Sequence, residues 1–233
     1  MHVRGTWSLR RSFLTRPVIA WVVAFAVASA WAQSGVAELE VKAYGRQRID
    51  LATGRTILED GGELIERGSG VRLVASWIAY AEGVDVDARD ARIEGDLGRV
   101  DAPRVAIDLG LGRLTAGGGV VWRRAGLEVS GERLWFDAVA AVVGLLGSVE
   151  ALEPDASAAE VWIDLGSGRV LLVGPYRYAD GPLVLRGGED GALQLDAVEI
   201  ETGVVYDAST EVDEDWLATV AALREAWGTT SGD

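Results

Sequence analysis

The sequence predicts an all-β, solenoid-like fold in which a short strand–turn–strand unit stacks on itself and a short α-helix follows. The phrase Ile-Asp-Leu-x-x-Gly-Arg occurs three times, at 49–55, 107–113 and 163–169. Apolar and acidic residues alternate within each copy, which is typical of a half-buried strand, and the Gly suits a tight turn. Short β-branched and aromatic runs separated by turn residues continue through most of the chain, as in all-β proteins.

A less regular version of the repeat lies between these copies. Residues 135–138 (WFDA) stand midway between the second and third copies, and residues 78–80 (IAY) stand between the first and second. The repeating unit is therefore about 28 residues, or roughly two strands and two turns. Units of this kind bury one face only by stacking on their neighbours.

The first 32 residues predict a signal peptide. They contain four arginines and no acidic residue, and residues 17–31 are almost wholly apolar. Small residues near Ala32 fit a cleavage site, so we expect removal of 1–32 and export. An uncleaved membrane anchor is the alternative, although the apolar run falls short of the ~20 residues that span a bilayer. Arg10-Arg11 also resembles a twin-arginine signal, which leaves the export route open.

The strand pattern occupies residues 33–207, which we interpret as one domain. We expect residues 36–44 to form a first strand and 49–66 to form a hairpin with its turn at Thr53-Gly54. Residues 71–80 are rich in β-branched and aromatic side chains, as strands are. The clearest alternation of strands and turns runs from Val100 to residue 202.

Alternation along the strands assigns two faces. The repeat aspartates point to one side and the flanking Ile and Leu to the other. The outer face then holds Asp108, Asp137, Asp164, Trp135 and Trp162. The inner face is apolar and comprises Ile107, Leu109, Leu127, Val129, Leu134, Phe136, Ile163, Leu165, Leu183 and Leu185. These ten side chains either line a groove for a ligand or fill a closed core.

Residues 208–228 predict a helix that caps the end of the β stack. Acidic residues at 213–215 match the positive end of a helix dipole. Trp216, Val220, Leu223 and Trp227 share one helical face, and Gly228 ends the pattern. A helix that binds a partner or gates the fold is the alternative. We expect the tail, 229–233, to be disordered.

Composition argues against most catalytic chemistry. The single His is His2, Cys is absent, and Lys42 is the one lysine of the chain. Triads, cysteine nucleophiles and zinc sites are thereby excluded in their usual forms, and we expect no enzyme, metal or cofactor. A carboxylate-pair glycosidase is the remaining enzymatic alternative. Removing 1–32, with four arginines, takes the formal charge from −14 to −18, which disfavours nucleic acid as a partner.

The repeat resembles that of the OstA-like family, periplasmic lipopolysaccharide-transport proteins first named for organic solvent tolerance. Their repeat reads approximately Tyr-Asp, a turn, then Ala-x-Gly-x-Val. Residues 114–120 (LTAGGGV) follow Ile107-Asp108 in this way, and residues 144–149 (GLLGSV) follow Phe136-Asp137. The resemblance covers about residues 36–202, with Ile in place of Tyr in three copies.

This resemblance implies a folded sheet, a β-jellyroll or "taco" open along one seam, in the periplasm. Family members shield acyl chains between the inner and outer membranes, so the implied partner is a lipid or lipopolysaccharide-like amphiphile. Open edge strands would pair with a second copy or with related β-jellyroll envelope proteins. The alternative is a scaffold β-solenoid that binds proteins through its edges. A structure without a groove wide enough for an acyl chain would favour that alternative.

Overall fold

A computed structural model describes residues 39–68, 70–124, 126–152, 154–200 and 203–228. The proposed signal peptide, the tail and residues 36–38 of the first expected strand lie outside the described residues. The expected all-β fold with one C-terminal helix is confirmed, because within the described ranges seventeen strands form a single antiparallel sheet and one helix follows them.

The strands are β1 (Leu39–Ala43), β2 (Gln47–Ile49), β3 (Thr56–Leu58), β4 (Gly62–Glu66), β5 (Arg72–Ala75), β6 (Trp77–Ala81), β7 (Asp85–Gly95), β8 (Gly98–Asp108), β9 (Arg113–Arg124), β10 (Leu127–Asp137), β11 (Val142–Ala151), β12 (Asp155–Asp164), β13 (Val170–Val173), β14 (Tyr176–Asp180), β15 (Leu183–Gly187), β16 (Ala192–Ile200) and β17 (Gly203–Ser209). The helix α1 spans Glu214–Gly228.

The sheet is folded into two layers that share the six long strands β7 to β12. The first half of β7 pairs with β6 and its second half with β5. At the other side, the two halves of β12 pair with β13 and β14. Layer one therefore contains β2, β3, β6, β13, β16 and β17, and layer two contains β1, β4, β5, β14 and β15. One apolar cluster draws side chains from both layers.

The long strands bend along a line that we call the crease. The pairing register shifts there, at residues 101–104, 131–133 and 146–149 of neighbouring strands. Five residues near these shifts have positive φ, namely Asp90, Gly118, Gly119, Gly147 and Ser148. Extra residues of this kind form β-bulges, which bend a strand and increase its twist. The bulges turn one continuous sheet back upon itself.

Alanines recur among the buried side chains next to the crease, where Leu134 and Leu145 also lie. Small buried residues lie next to it, including Ala88, Ala91, Ala102, Ala116 and Ala158. Larger buried residues lie farther out along the same strands, including Ile93, Ile107, Leu114, Trp122 and Ile163. Alanines beside the crease let the two layers approach closely where they meet.

The repeat aspartates close the turns of layer one. Their Oδ1 atoms accept hydrogen bonds from turn N–H groups, at 3.0 Å for Asp50, 2.8 Å for Asp108, 3.0 Å for Asp137 and 2.8 Å for Asp164. Each is an Asx-type turn, which holds the backbone without help from a neighbouring strand. Burial disfavours charge on Asp164, but hydrogen bonds from Ser167 and Gly166 prevail and lower the pKa of its carboxyl.

Two expectations about the outer face are corrected. Asp137 was expected to face water, yet it is only 6% exposed and pairs with Arg113 at 3.2 Å. The helix was expected to cap the end of the stack, but it lies on the outer face of layer one. The expected face of α1 is the buried one, and it packs against Trp135, Val142, Leu146, Trp162 and Leu171.

Aromatic and charged contacts hold α1 on this face. The rings of Trp227 and Trp135 stack with centroids 5.5 Å apart and planes inclined by 7°. Asp213 caps the helix, because its Oδ1 accepts the N–H of Trp216 at 3.1 Å. The other oxygen of Asp213 accepts a hydrogen bond from Arg169, the arginine of the third repeat copy. Arg169 thus links the turn of the third repeat copy to the first turn of α1.

The turn after Asp137 provides a test of the repeat. The fourth residue after the aspartate is Gly in the three full copies, with φ of 71°, 64° and 74°, whereas it is Ala141 here, with φ of 54°. We expect Ala141→Gly to raise the free energy of unfolding by ~0.5–1 kcal/mol, because it removes left-handed strain. The reverse change, Gly54→Ala, should lower the free energy of unfolding by ~1 kcal/mol, although there is open space around Gly54 for the added methyl group. Urea unfolding measures the change in the free energy of unfolding for both variants. Changes of the same sign would contradict the equivalence of the turn at Ala141 with the turns of the three full copies.

The helix contact provides a second test. Trp227→Ala should lower the free energy of unfolding by ~3–5 kcal/mol, because it leaves a cavity beside Trp135. Leu217→Ala on the same helix is the matched control, since Leu217 is 40% exposed and should change stability by less than ~1 kcal/mol. Similar losses for both variants in urea unfolding would contradict docking through the tryptophan face.

Candidate functional site

The residues expected to line a groove lie inside the fold, with one exception. Five of the ten are buried in the interior cluster: Ile107, Leu109, Val129, Leu134 and Ile163. Four more are half-buried and pack against it: Leu127, Phe136, Leu165 and Leu185. Leu183 departs from the expectation because it is 46% exposed, at the first position of β15 beside the turn at Gly181. The structure thus places nine of the ten around one apolar interior.

The side of the fold opposite the crease is formed by turns, and we call it the seam. Turns of layer one at 109–112, 138–141 and 165–169 lie along one border, and layer two places residues 96–97, 152 and 154 along the other. The apolar side chains behind these turns are only half-buried, including Leu97, Leu127, Phe136, Leu165 and Tyr206. The interior is therefore least covered at the seam.

A narrow apolar slot lies just inside the seam. Layer two contributes Leu127, Val129, Ala151 and Ala156, and layer one contributes Val161, Ile163, Val170, Leu172, Leu195 and Tyr206. Its volume is about 30 Å³. Sites for small molecules usually enclose ~300–1,000 Å³. In this conformation the slot is too small to hold an acyl chain.

Tyr206 is the polar member of the slot lining. Burial raises the pKa of its hydroxyl above the ordinary value. The phenol therefore stays neutral at physiological pH, and the slot presents no charge to an entering apolar group. Sequence reasoning missed Tyr206, Leu172 and Leu195, because their approach to Leu127 depends on pairing between distant strands.

Exposed apolar side chains border the seam at the tips of successive turns. In layer one these are Leu51, Val84, Leu111 and Val139, which are 93%, 58%, 55% and 73% exposed. We call these four the rim row. Consecutive members lie two strands apart, which corresponds to about 10 Å. Together these four side chains form an exposed apolar row along the border of layer one.

A larger open concavity of about 570 Å³ lies beside the crease. Its charged lining residues are paired with each other or with neighbours: Arg92 donates to Asp101 at 2.9 Å, and the Ser76 hydroxyl donates to Asp90 at 2.7 Å. Arg72 pairs with Glu63.

The described residues contain no cluster of three or more His, Cys, Asp or Glu side chains placed to hold a metal ion. Within the same part of the chain, no helix has the length and apolar character needed to cross a membrane.

Comparison of the sequence with models of protein families, and with curated proteins, finds no match in either case. Membership of the OstA-like family therefore stays a prediction. The function has to be argued from the seam, the slot and the rim row.

The rim row can be tested without disturbing the core. We expect Leu111→Ser with Val139→Ser to weaken retention on a phenyl matrix and to leave stability within ~0.5 kcal/mol, because both side chains are exposed. The matched control is Val198→Ser with Val205→Ser, an exposed apolar pair facing each other on β16 and β17. Equal loss of retention in the two double variants would show that the rim row has no special role.

Proposed function

We propose that this protein is an exported, non-enzymatic lipid carrier or bridge of the cell envelope, acting in the periplasm between the inner and outer membranes. Acyl chains would enter through the seam and lie between the two layers. The observation that carries the proposal is the apolar interior between the two layers, which ends at a half-covered seam bordered by the rim row.

The energetics of this function are those of apolar transfer. Each CH₂ group in water costs ~0.8 kcal/mol, so one long chain costs roughly 10 kcal/mol. An apolar interior removes that cost without a chemical step, which suits a chain without His or Cys after residue 2. The rim row would supply the first contact for a chain that leaves a membrane.

Entry requires the seam to open, because the slot holds only about 30 Å³. The half-buried side chains Leu127, Phe136 and Leu165 are less enclosed than the residues near the crease, so they can move at lower cost. In the open state the acyl chain would fill the space between the layers and supply the dispersion attraction that the two layers otherwise provide for each other. The layers would thus swing about the crease, where each long strand stays continuous.

A chemical lock across the seam tests this proposal. The chain has no cysteine, so Leu127→Cys and Val170→Cys introduce one thiol on each side of the slot. Bridging them with a short bismaleimide should abolish binding of a fluorescent long-chain fatty acid. The unbridged double variant should still bind the fatty acid.

The control lock joins Val198→Cys to Val205→Cys, which face each other on neighbouring strands of layer one and lie outside the seam and the rim row, and it should preserve binding. Mass spectrometry of the protein purified from its native envelope supplies a second readout, in which co-purified lipid is expected. Fatty-acid binding that survives the seam lock, or native protein that carries no lipid, would contradict the proposal.

A second candidate is a scaffold protein whose filled interior is purely structural. The small slot volume favours it. Within the described residues β1, β2, β15 and β17 each pair on one side only, so their other edges could pair with a second copy or with related β-jellyroll proteins. Native protein without lipid, in complexes that a proline at Val205 disrupts, would favour this candidate.

A further inference from the structure

Three arginines lie in one row on the outer face of layer one, next to the crease. Arg89 of β7 faces Arg104 of β8, which faces Gly117 of β9. Gly117 in turn faces Arg133 of β10. All three arginines are exposed, and the residues beside them in sequence, Ala88, Val105 and Leu134, point into the interior. We call these three residues the arginine row.

The arginine row stands out in an acidic chain with a formal charge of −14. Most other arginines of the described residues form ion pairs, such as Arg92 with Asp101 and Arg224 with Glu160. Within the described ranges, no carboxylate forms an ion pair with the three arginines of the row. Like charges directly opposite each other destabilise a sheet, so Arg89 facing Arg104 is unfavourable without a bound anion.

The two nearest acidic residues in sequence are directed elsewhere. The Asp90 carboxylate accepts a hydrogen bond from the Ser76 hydroxyl at 2.7 Å. The Glu132 side chain lies against Gly147 of β11, on the side away from β9. Both carboxylates are therefore turned away from the space between Arg104 and Arg133.

The ends of the row are held by aromatic rings. The guanidinium carbon of Arg89 lies 4.6 Å from the centroid of Trp77, and that of Arg133 lies 5.8 Å from the centroid of Trp135. Cation–π contact uses the flat face of a guanidinium and leaves N–H groups at its edge free to donate. Orienting these side chains in advance lowers the entropy lost when a ligand binds.

Between Arg104 and Arg133 the sheet presents Gly117, which has no side chain. The two flanking strands are separated by two strand spacings, or about 10 Å. Side chains from both sides can thus converge on an anion that rests on the glycine backbone.

We propose that the arginine row binds a phosphate group. A planar guanidinium matches two phosphate oxygens at once, and charge-assisted hydrogen bonds are the stronger kind. The row lies beside the crease on the outer surface, away from the seam, so this site is separate from the proposed acyl site. The phosphate could belong to a soluble anion or to a lipid headgroup.

Calorimetric titration of the full mature protein with inorganic phosphate and diphosphate at low ionic strength tests the proposal. Saturable binding is expected, and Arg104→Gln should weaken it by at least about tenfold. The control is Arg186→Gln, because Arg186 is exposed on β15 and forms no ion pair within the described residues. That variant should bind like the wild type.

Thermal unfolding provides a second readout. Diphosphate should raise the Tm of the wild type but not of Arg89→Gln with Arg104→Gln. Without anion, the double variant should melt no earlier than the wild type, because the unfavourable Arg–Arg contact is gone. No saturable binding by the wild type, or equal weakening by Arg104→Gln and Arg186→Gln, would overturn the proposal.

Vesicles distinguish the two sources of phosphate. Binding to phosphatidylglycerol vesicles but not to phosphatidylcholine vesicles, if competed by free diphosphate and weakened by Arg104→Gln, assigns a lipid headgroup. Binding of the free anions alone assigns a soluble ligand. Either result supports a phosphate site, and neither depends on acyl binding at the seam.

Discussion

The bulges along the crease are the constraint on which the rest of this structure depends. Without them, β7 to β12 would continue as straight strands, and their apolar faces would remain open to water. Positive φ at Asp90, Gly118, Gly119, Gly147 and Ser148 bends the strands in one place, so that one sheet supplies both walls of its own core. Several interior alanines, including Ala91, Ala102 and Ala158, lie where the two layers meet.

Two surfaces of the fold have the character of binding sites, one at the seam and one at the crease. At the seam, no third layer among the described residues covers Leu127, Phe136 and Leu165, and the rim row adds exposed apolar side chains in front of them. At the crease, the arginine row brings positive charges together on a protein that is otherwise acidic. One surface suits apolar groups and the other suits anions. Their separation lets the two proposed activities be tested independently.

Much of the fold follows from local pattern, whereas the position of its parts does not. The repeat predicts strands, turns and faces because strand alternation and the Asp and Gly of the turns are local properties. The position of the crease is harder to predict from the sequence, because Asp90 and Ser148 are not residue types that mark a β-bulge. The sequence pattern placed the large apolar side chains of Trp135 and Trp162 on the outer face, which indicates that another element covers them. The helix α1 is that element. Because the packing of α1 depends on contacts between residues far apart in the sequence, neither the position of α1 nor the burial of Asp137 could be predicted.

The arginine row could not be predicted for the same reason, because only the pairing of the strands brings its members together.

The central claim is that the layers open at the seam and hinge at the crease. The most direct measurement is the distance between spin labels at Val139→Cys and Leu152→Cys, which lie on turns at opposite ends of β11. Pulsed electron paramagnetic resonance would record this distance with and without a bound long-chain fatty acid. The account predicts a longer distance in the bound state. An unchanged distance in protein shown to hold the fatty acid would contradict it.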